Sequence, residues 1–236
     1  KPTKARKMKK KIRRIKNFKF KKKLVCLTAY SKPFSKILDK YCDIILVGDS
    51  VATAFYGMKN TRSISLNTII NHSIAVGKGI KKSTFVVDMP FNTYKNKYQA
   101  LKNSKKILKE TKCDGIKLEG GRKIKKIIKF LTNNKIPVMG HIGITPQTVK
   151  GKFRYKGKTT IEKKNLLKDS RSLEDAGVFA IVLECIEKKL SKQITETIKI
   201  PTIGIGSSKF CDGQILVTDD MLGLTESKIK FVKKYI

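Results

Sequence analysis

The chain contains eight short apolar runs, separated by segments in which apolar residues recur at helical spacing. The runs are rich in Val, Ile and Leu, are flanked by Gly, Pro or Asp, and are apolar at both alternating positions. This pattern predicts strands that are buried on both faces of a parallel sheet. The predicted strands span residues 24–30, 43–49, 84–90, 115–121, 137–143, 179–185, 202–208 and 214–220.

Helical patterns fill most intervals between these runs, and one more follows the last run. The predicted helices span residues 33–41, 66–80, 98–110, 124–131, 166–176, 190–198 and 227–235. Eight strands that alternate with helices in 236 residues predict an α/β fold of the (β/α)8, or TIM barrel, type. We expect a single barrel domain at 24–236, preceded by a basic N-terminal arm at 1–23 that can carry a helix. The segment 150–164 is rich in glycine and lysine and is predicted to be a long loop.

The net charge of +36 raises the alternative of a basic nucleic-acid-binding protein. The arm carries 14 Lys or Arg and no acid, but basic residues are in excess along the rest of the chain as well. Sequence-specific DNA readers favour Arg, which binds bases through paired hydrogen bonds, whereas Lys greatly outnumbers Arg here. We therefore expect no specific nucleic-acid partner, although electrostatics favours nonspecific polyanion binding. The arm is expected to be dispensable for chemistry.

Membrane and disulfide-rich classes do not fit the sequence. No stretch approaches the roughly 18 consecutive apolar residues of a transmembrane helix, and no secretory apolar segment follows the basic start. The five cysteines are odd in number, and no pair has C-x-x-C spacing, which argues against a zinc cluster or a redox dithiol. We expect buried free thiols in a reducing compartment, a cytoplasmic location and no membrane partner.

Polar residues collect at the carboxyl ends of consecutive predicted strands, where barrel enzymes place their active sites. These residues are Asp49, Ser50, Asp88, Lys117, Glu119, His141 and Glu184. Polar groups buried without partners are costly, so their concentration at one end of the barrel predicts a functional site.

The acids Asp49, Asp88 and Glu119 form an all-oxygen ligand set that suits Mg²⁺. A single acid at a strand end can instead be a helix N-cap. Lys117 lies two residues before Glu119 and therefore shares its face of the strand. Lys117 can pair with the acids, or bind a substrate carboxylate or a developing enolate.

The two remaining candidates each have two interpretations. Glu184 fits a general base or a buried salt-bridge partner. His141 fits a substrate-binding or catalytic group, or a histidine that only packs in the core.

Eight motifs together resemble the ketopantoate hydroxymethyltransferase family, and they occur in the order typical of that family over residues 24–224. They are LTAY (27–30), ILVGDS (45–50), VVDMPF (86–91), IKLEGG (116–121), PVMGHIGITPQ (137–147), VLEC (182–185), PTIGIGSS (201–208) and CDGQILV (211–217). Each motif is weak alone, but the set is specific. The resemblance implies a barrel of the phosphoenolpyruvate/pyruvate superfamily, C-terminally shortened relative to the family at Ile236.

The resemblance also implies an activity: transfer of a hydroxymethyl group from 5,10-methylenetetrahydrofolate to 3-methyl-2-oxobutanoate. The products would be 2-dehydropantoate and tetrahydrofolate, in the first step of pantothenate biosynthesis, through a Mg²⁺-stabilised enolate. The implied roles, by residue, are Mg²⁺ binding by Asp49, Asp88 and Glu119, keto-acid binding by Asp49, Ser50, Asp88 and Lys117, and proton abstraction by Glu184. The implied assembly is a homodecamer.

Alternative functions stay open at this point. Another Mg²⁺-dependent keto-acid enzyme of the same superfamily would explain the carboxylates, but not the combination of GHIGITPQ with CDGQILV. A nucleic-acid-binding protein would explain the charge but not the acidic cluster. A decayed enzyme is the third alternative.

Overall fold

The computed structural model describes residues 4–148, 154–226 and 229–235, which contain a closed barrel of eight parallel strands in chain order. The strands are β1 (Leu24–Thr28), β2 (Ile44–Val47), β3 (Thr84–Asp88), β4 (Gly115–Glu119), β5 (Val138–Gly143), β6 (Ala180–Glu184), β7 (Thr202–Ile205) and β8 (Gly213–Leu216). The predicted (β/α)8 barrel is confirmed, and each observed strand falls within or overlaps its predicted run.

Helices occupy most connections between the strands. They are α1 (Lys4–Asn17), α2 (Lys32–Leu38), α3 (Val51–Ala54), α4 (Leu66–Gly77), α5 (Lys97–Thr111), α6 (Lys125–Asn133), α7 (Thr160–Asp175), α8 (Lys188–Thr197) and α9 (Thr218–Leu222). Short 3-10 turns lie at Thr61–Ser63 and Arg122–Ile124. The short connection from β7 to β8 carries no helix, as its length predicts.

Most strands are buried on both faces, which explains why their sequences are largely apolar at both alternating positions. The exceptions include Val25 of β1 and Gln214 of β8, which are exposed. On β3, Phe85 and Val87 belong to the large cluster between barrel and helices, whereas Val86 belongs to a second cluster inside the barrel. Because side chains two residues apart share a face of a strand, Asp88 follows Val86 into the barrel interior. The same alternation turns Lys117 and Glu119 of β4 inward together.

Helix α1 closes the amino end of the barrel, the end at which the strands begin. Ile15 of α1 is fully buried in the cluster inside the barrel, together with Leu24 and Ile44 at the starts of β1 and β2. Lys19, just after α1, forms a 2.8 Å ion pair with the buried Asp212. Ile15 and Lys19 thus hold this segment against the barrel, a role that its basic composition did not indicate.

We expect Ile15→Ala to lower the free energy of unfolding by about 2–5 kcal/mol, the usual effect of truncating a buried isoleucine. Denaturant unfolding followed by circular dichroism measures the change. The matched control is Ile161→Ala, because Ile161 also lies on a helix but is 74% exposed. Equal losses in the two variants would contradict the packing assigned to α1.

Asp39, after α2, fixes the segment that leads into β3. Its carboxylate accepts hydrogen bonds from the backbone N–H groups of Lys81 (2.9 Å), Lys82 (3.0 Å) and Ser83 (2.8 Å). Burial raises the pKa of Asp39, but the hydrogen bonds from Ser83, Lys81 and Lys82 outweigh burial and hold this pKa below its ordinary value.

We expect Asp39→Asn to destabilise the fold by about 1–3 kcal/mol at neutral pH, because an amide cannot accept all these hydrogen bonds. The folded-state pKa of Asp39 lies below the unfolded one, so its contribution is present above the unfolded value, about 3.9. The contribution disappears as the pH falls through the lower, folded-state pKa. Unfolding free energies measured from pH 7 to pH 3 should therefore converge for the two proteins. The control is Asp175→Asn, whose carboxylate is 64% exposed, and a pH-independent Asp39→Asn effect would contradict the argument.

Two predicted segments differ from the structure. The helix predicted at 227–235 is wrong for residues 229–235, which form a turn and irregular coil, while 227 and 228 lie outside the described residues. A short isolated helix is marginal in water, and here the ring of Phe231 packs on Gly206 instead. In the predicted loop 150–164, residues 160–164 belong to α7, and residues 150–153 lie outside the described part.

Two smaller expectations concern the cysteines and membrane helices. All five cysteines are free and buried, which confirms the prediction of buried thiols. Within residues 4–148, 154–226 and 229–235, none of the helices has the length and apolar character needed to span a bilayer.

Candidate active site

A cavity of about 650 Å³ opens at the carboxyl end of the barrel, the end at which the strands finish. All seven predicted site residues line it: Asp49, Ser50, Asp88, Lys117, Glu119, His141 and Glu184. Its outer part includes the exposed side chains of Lys59, Arg154 and Lys230. The structure therefore brings together all the residues selected from the strand ends.

Asp88 and Lys117 form the central ion pair of the site. They are neighbours in the β3–β4 register, and Lys117 Nζ lies 2.8 Å from Asp88 Oδ1. Burial lowers the pKa of Lys117, but the charges of Asp88, Glu119 and Asp49 outweigh burial and raise this pKa above its ordinary value. Lys117 is therefore a permanent positive charge, buried among acids.

Asp49 carries a strongly perturbed carboxyl group. Burial, followed by the charges of Asp88 and Glu119, raises the pKa of Asp49 to about 8, against the opposing effect of Lys117. The backbone N–H of Asp49 donates to Asp88 Oδ2 over 3.0 Å. The two acids are thus held side by side with more negative charge than Lys117 neutralises.

His141 lies between two carboxylates. It neighbours Glu119 in the β4–β5 register, with 3.5 Å between His141 Nδ1 and Glu119 Oε1. Its other nitrogen, Nε2, lies 3.0 Å from Glu184 Oε2. Burial and Lys117 lower the pKa of His141, but the contacts with Glu119 and Glu184 outweigh them and raise it to about 9. His141 therefore connects Glu184 to the acidic cluster instead of packing as an isolated core residue.

Ser50 is held by a partner that the sequence analysis did not select. The hydroxyls of Ser50 and Tyr30 lie 2.7 Å apart. Tyr30 belongs to the LTAY motif after β1, and its backbone oxygen lies 2.7 Å from His72 Nδ1. The end of β1 is thereby linked to helix α4.

The helix-cap interpretation of the strand-end acids does not hold. The N-cap residue of α5, the helix after β3, is Asn96 and not Asp88. The N-cap residue of α3, the helix after β2, is Ser50 and not Asp49, and the Ser50 side chain makes no capping hydrogen bond. Asp49, Asp88 and Glu119 point into the cavity instead. Lys117 is an ion-pair partner, as one of its two interpretations proposed.

Other residues of the site were missed in the sequence analysis. Gln147 is 2% exposed and contacts Asp49 and Glu119, and Tyr94 contacts Gln147. Gln147 ends the quoted motif PVMGHIGITPQ, so a signal was present, whereas Tyr94 had none. Phe231, in the segment that was predicted to be helical, also lines the cavity.

The described side chains that could bind a metal ion are not preassembled around a single point. Within the part of the chain that the structure describes, no three His, Cys, Asp or Glu side chains are gathered to hold one ion. Metal binding by Asp49, Asp88 and Glu119 stays a prediction.

Comparison with solved structures supports the fold. The chain superposes on phosphonopyruvate hydrolase with a TM-score of 0.70 and 11% identity, over 91% of this chain and 83% of the other. It superposes on 2,3-dimethylmalate lyase, a PEP mutase/isocitrate lyase superfamily member, with a TM-score of 0.68 and 10% identity, over 95% and 81%. These superpositions confirm the predicted (β/α)8 barrel fold.

Sequence comparison identifies the family. A profile described as ketopantoate hydroxymethyltransferase matches residues 9–236. The chain is 55% identical to the 3-methyl-2-oxobutanoate hydroxymethyltransferase of Pelagibacter ubique, over 97% of this chain and 88% of the relative. It is 47% identical to the protein of the same name from Anaplasma marginale, over 90% and 78%. The chain belongs to the ketopantoate hydroxymethyltransferase family, which confirms both the resemblance and the enzyme class predicted from its motifs.

Proposed function

We propose that this enzyme transfers a hydroxymethyl group from 5,10-methylenetetrahydrofolate to 3-methyl-2-oxobutanoate. The products are 2-dehydropantoate and tetrahydrofolate, which makes the reaction the first step of pantothenate biosynthesis. The names of the relatives support the keto-acid substrate and the transferred group. The observation that carries the proposal is one cavity that holds a buried lysine among acids together with a separate glutamate, Glu184.

The acidic cluster fits a divalent cation. Asp49, Asp88 and Glu119 are all buried, and their crowding contributes to the raised pKa of Asp49. A cation relieves such repulsion, and Mg²⁺ in proteins commonly takes one or two carboxylates and completes its shell with water or substrate oxygens. Asp49 and Asp88 would hold the ion, with Glu119 acting directly or through water. When bound, Mg²⁺ supplies a Lewis acid for the keto oxygen of the substrate.

The side chains of the cavity bind and orient the keto acid. Lys117 places a permanent positive charge beside Asp88, where it attracts the substrate carboxylate and favours negative charge that develops during reaction. The Ser50 hydroxyl, fixed by Tyr30, supplies a hydrogen bond to a substrate oxygen.

Glu184 removes the C3 proton of the keto acid. Its side chain is 20% exposed, lines the cavity and lies at the end of β6, two strands from Lys117. The 3.0 Å contact with His141 orients one carboxylate oxygen, so that the carboxylate is held for proton transfer. Proton removal leaves a C3 enolate. One water releases the one-carbon unit of 5,10-methylenetetrahydrofolate as formaldehyde and leaves tetrahydrofolate, and the C3 carbon of the enolate then attacks the formaldehyde carbon. The formaldehyde oxygen takes up a proton and becomes the hydroxyl group of 2-dehydropantoate.

The apolar part of the cavity suits the folate ring. Ile205, Leu216 and Phe231 line the cavity together with the exposed cations of its outer part. A flat, partly apolar ring with an anionic tail is complementary to that surface.

The remaining properties are also proposals that rest on family membership. We propose a cytoplasmic enzyme that assembles as a homodecamer and has no specific nucleic-acid or membrane partner.

Turnover of purified protein with 3-methyl-2-oxobutanoate, 5,10-methylenetetrahydrofolate and Mg²⁺ tests the proposal. We expect 2-dehydropantoate and tetrahydrofolate in equal amounts, identified by mass spectrometry. Omission of either substrate is the control. Absence of product from a folded, metal-loaded protein would contradict the proposed reaction, and carbon–carbon cleavage without folate would favour the alternative keto-acid enzyme.

A further inference from the structure

Gln147 is a buried amide whose polar atoms are all engaged at the acidic end of the cavity. Its side-chain Nε2 donates to Asp49 Oδ2 over 2.8 Å and to the backbone oxygen of Met89 over 3.0 Å. Its Oε1 accepts from the Tyr94 hydroxyl over 2.5 Å, and its backbone N–H donates to Glu119 Oε2 over 3.1 Å. One residue of the loop after β5 therefore contacts groups at the ends of β2, β3 and β4.

Only one orientation of this amide satisfies its surroundings. A reversed amide would place Oε1 against two acceptors, the carboxylate of Asp49 and the carbonyl of Met89. Acceptors that face one another without a hydrogen are repulsive, and burial makes such unpaired groups costly. Tyr94 reinforces the orientation, because its hydroxyl donates to Oε1.

The amide contacts Asp49 without adding a negative charge beside the three buried acids. A carboxylate at this position would place a further negative charge next to Asp49 and Glu119, and an apolar side chain would leave Asp49 Oδ2 without this donor. With Oδ2 engaged by Gln147, the orientation of the Asp49 carboxylate is set and its other oxygen is left for an ion. The backbone N–H of the same residue orients Glu119.

We propose that Gln147 is a positioning residue that orients Asp49 for a divalent cation, and that Tyr94 holds the Gln147 amide in its donating orientation. The inference rests on the proposed function, since it assumes that Asp49 binds the cation. Partners that orient metal ligands contribute about 10–100-fold to metal affinity or activity.

Binding of Mn²⁺, followed by electron paramagnetic resonance as the free ion disappears, tests the inference directly. We expect Gln147→Met, which keeps the length of the side chain and removes its polar atoms, to raise the Mn²⁺ dissociation constant about 10–100-fold. Tyr94→Phe should raise it in the same direction by a smaller factor. Saturating Mn²⁺ should restore most of kcat in both variants, which a loss of structure alone would not allow.

The matched control is Thr195→Val, which removes a buried hydroxyl that lies 2.7 Å from Thr202 Oγ1 at the amino end of the barrel. It should lower thermal stability without changing Mn²⁺ binding. Wild-type affinity in Gln147→Met, or an equal loss of affinity in Thr195→Val, would overturn the inference. If Gln147→Met does not fold, the Tyr94→Phe variant tests the inference by itself. Wild-type Mn²⁺ affinity in Tyr94→Phe would also overturn the inference. Wild-type protein that binds no Mn²⁺ would contradict the metal site of the proposed function instead.

Discussion

Glu184→Gln is expected to lower kcat about 10²–10⁴-fold, the usual contribution of a positioned general base. Glutamine keeps the shape of the side chain and removes its basicity. Glu184 lines the cavity and contacts His141, whereas Asp49, Asp88 and Glu119 crowd around Lys117. The loss should therefore fall on proton removal, while keto-acid binding stays close to that of the wild type.

Exchange of the C3 hydrogen of 3-methyl-2-oxobutanoate with deuterated water isolates this step. Measured by NMR with Mg²⁺ and without folate, the exchange should slow in Glu184→Gln by the same factor as kcat. Glu196→Gln is the control, because Glu196 lies on α8 with a carboxylate that is 60% exposed. Exchange at the wild-type rate in Glu184→Gln would assign the proton to another group.

Asp88→Asn is expected to lower kcat/KM roughly 10²–10³-fold, because Lewis-acid stabilisation contributes several kcal/mol and each 1.36 kcal/mol is about tenfold. The substitution removes a proposed cation ligand and leaves the buried Lys117 without its 2.8 Å partner. Chelation of the wild-type enzyme should abolish turnover reversibly, with activity returning when Mg²⁺ is added.

Asp212→Asn separates the chemical effect from the structural one. Asp212 is also a buried acid, paired at 2.8 Å with Lys19, but it lies at the amino end of the barrel. Both variants should lose stability, as expected when a buried cation loses its partner. Only Asp88→Asn should lose metal-dependent turnover. Full activity in excess chelator, or wild-type turnover by Asp88→Asn, would contradict the proposed metal site.

The fold and the membership of the site were predictable because both depend on local patterns. In β3 and β6 the residues before the carboxyl end are mostly apolar, so the polar residue that ends each strand, Asp88 or Glu184, marks the site directly. The pairing of these residues was not predictable. The contacts of Asp88 with Lys117 and of Glu119 with His141 follow from the register of neighbouring strands, which the sequence of one strand does not contain.

The features that were missed depend on contacts distant in sequence. Gln147 lies in a loop and carries no charge, so its role became visible only from the side chains around it. Ile15 resembles other residues of a basic segment until it is seen beneath the barrel. The start of α7 is a different case, because the Thr159 hydroxyl accepts from the backbone N–H of Glu162, and a threonine followed three residues later by glutamate is a helix-start signal that the sequence contained.

Helix α1 also has a kinetic consequence. With the amino end filled by Ile15 and its neighbours, reactants reach Lys117 from the carboxyl end of the barrel, where Phe231 and the outer cations lie. In the proposed reaction, a folate bound in the outer part of the cavity would obstruct the path of the smaller keto acid. Because the two proposed substrates share one entrance, we expect them to bind in a compulsory order. The keto acid should bind first, and tetrahydrofolate should leave before 2-dehydropantoate.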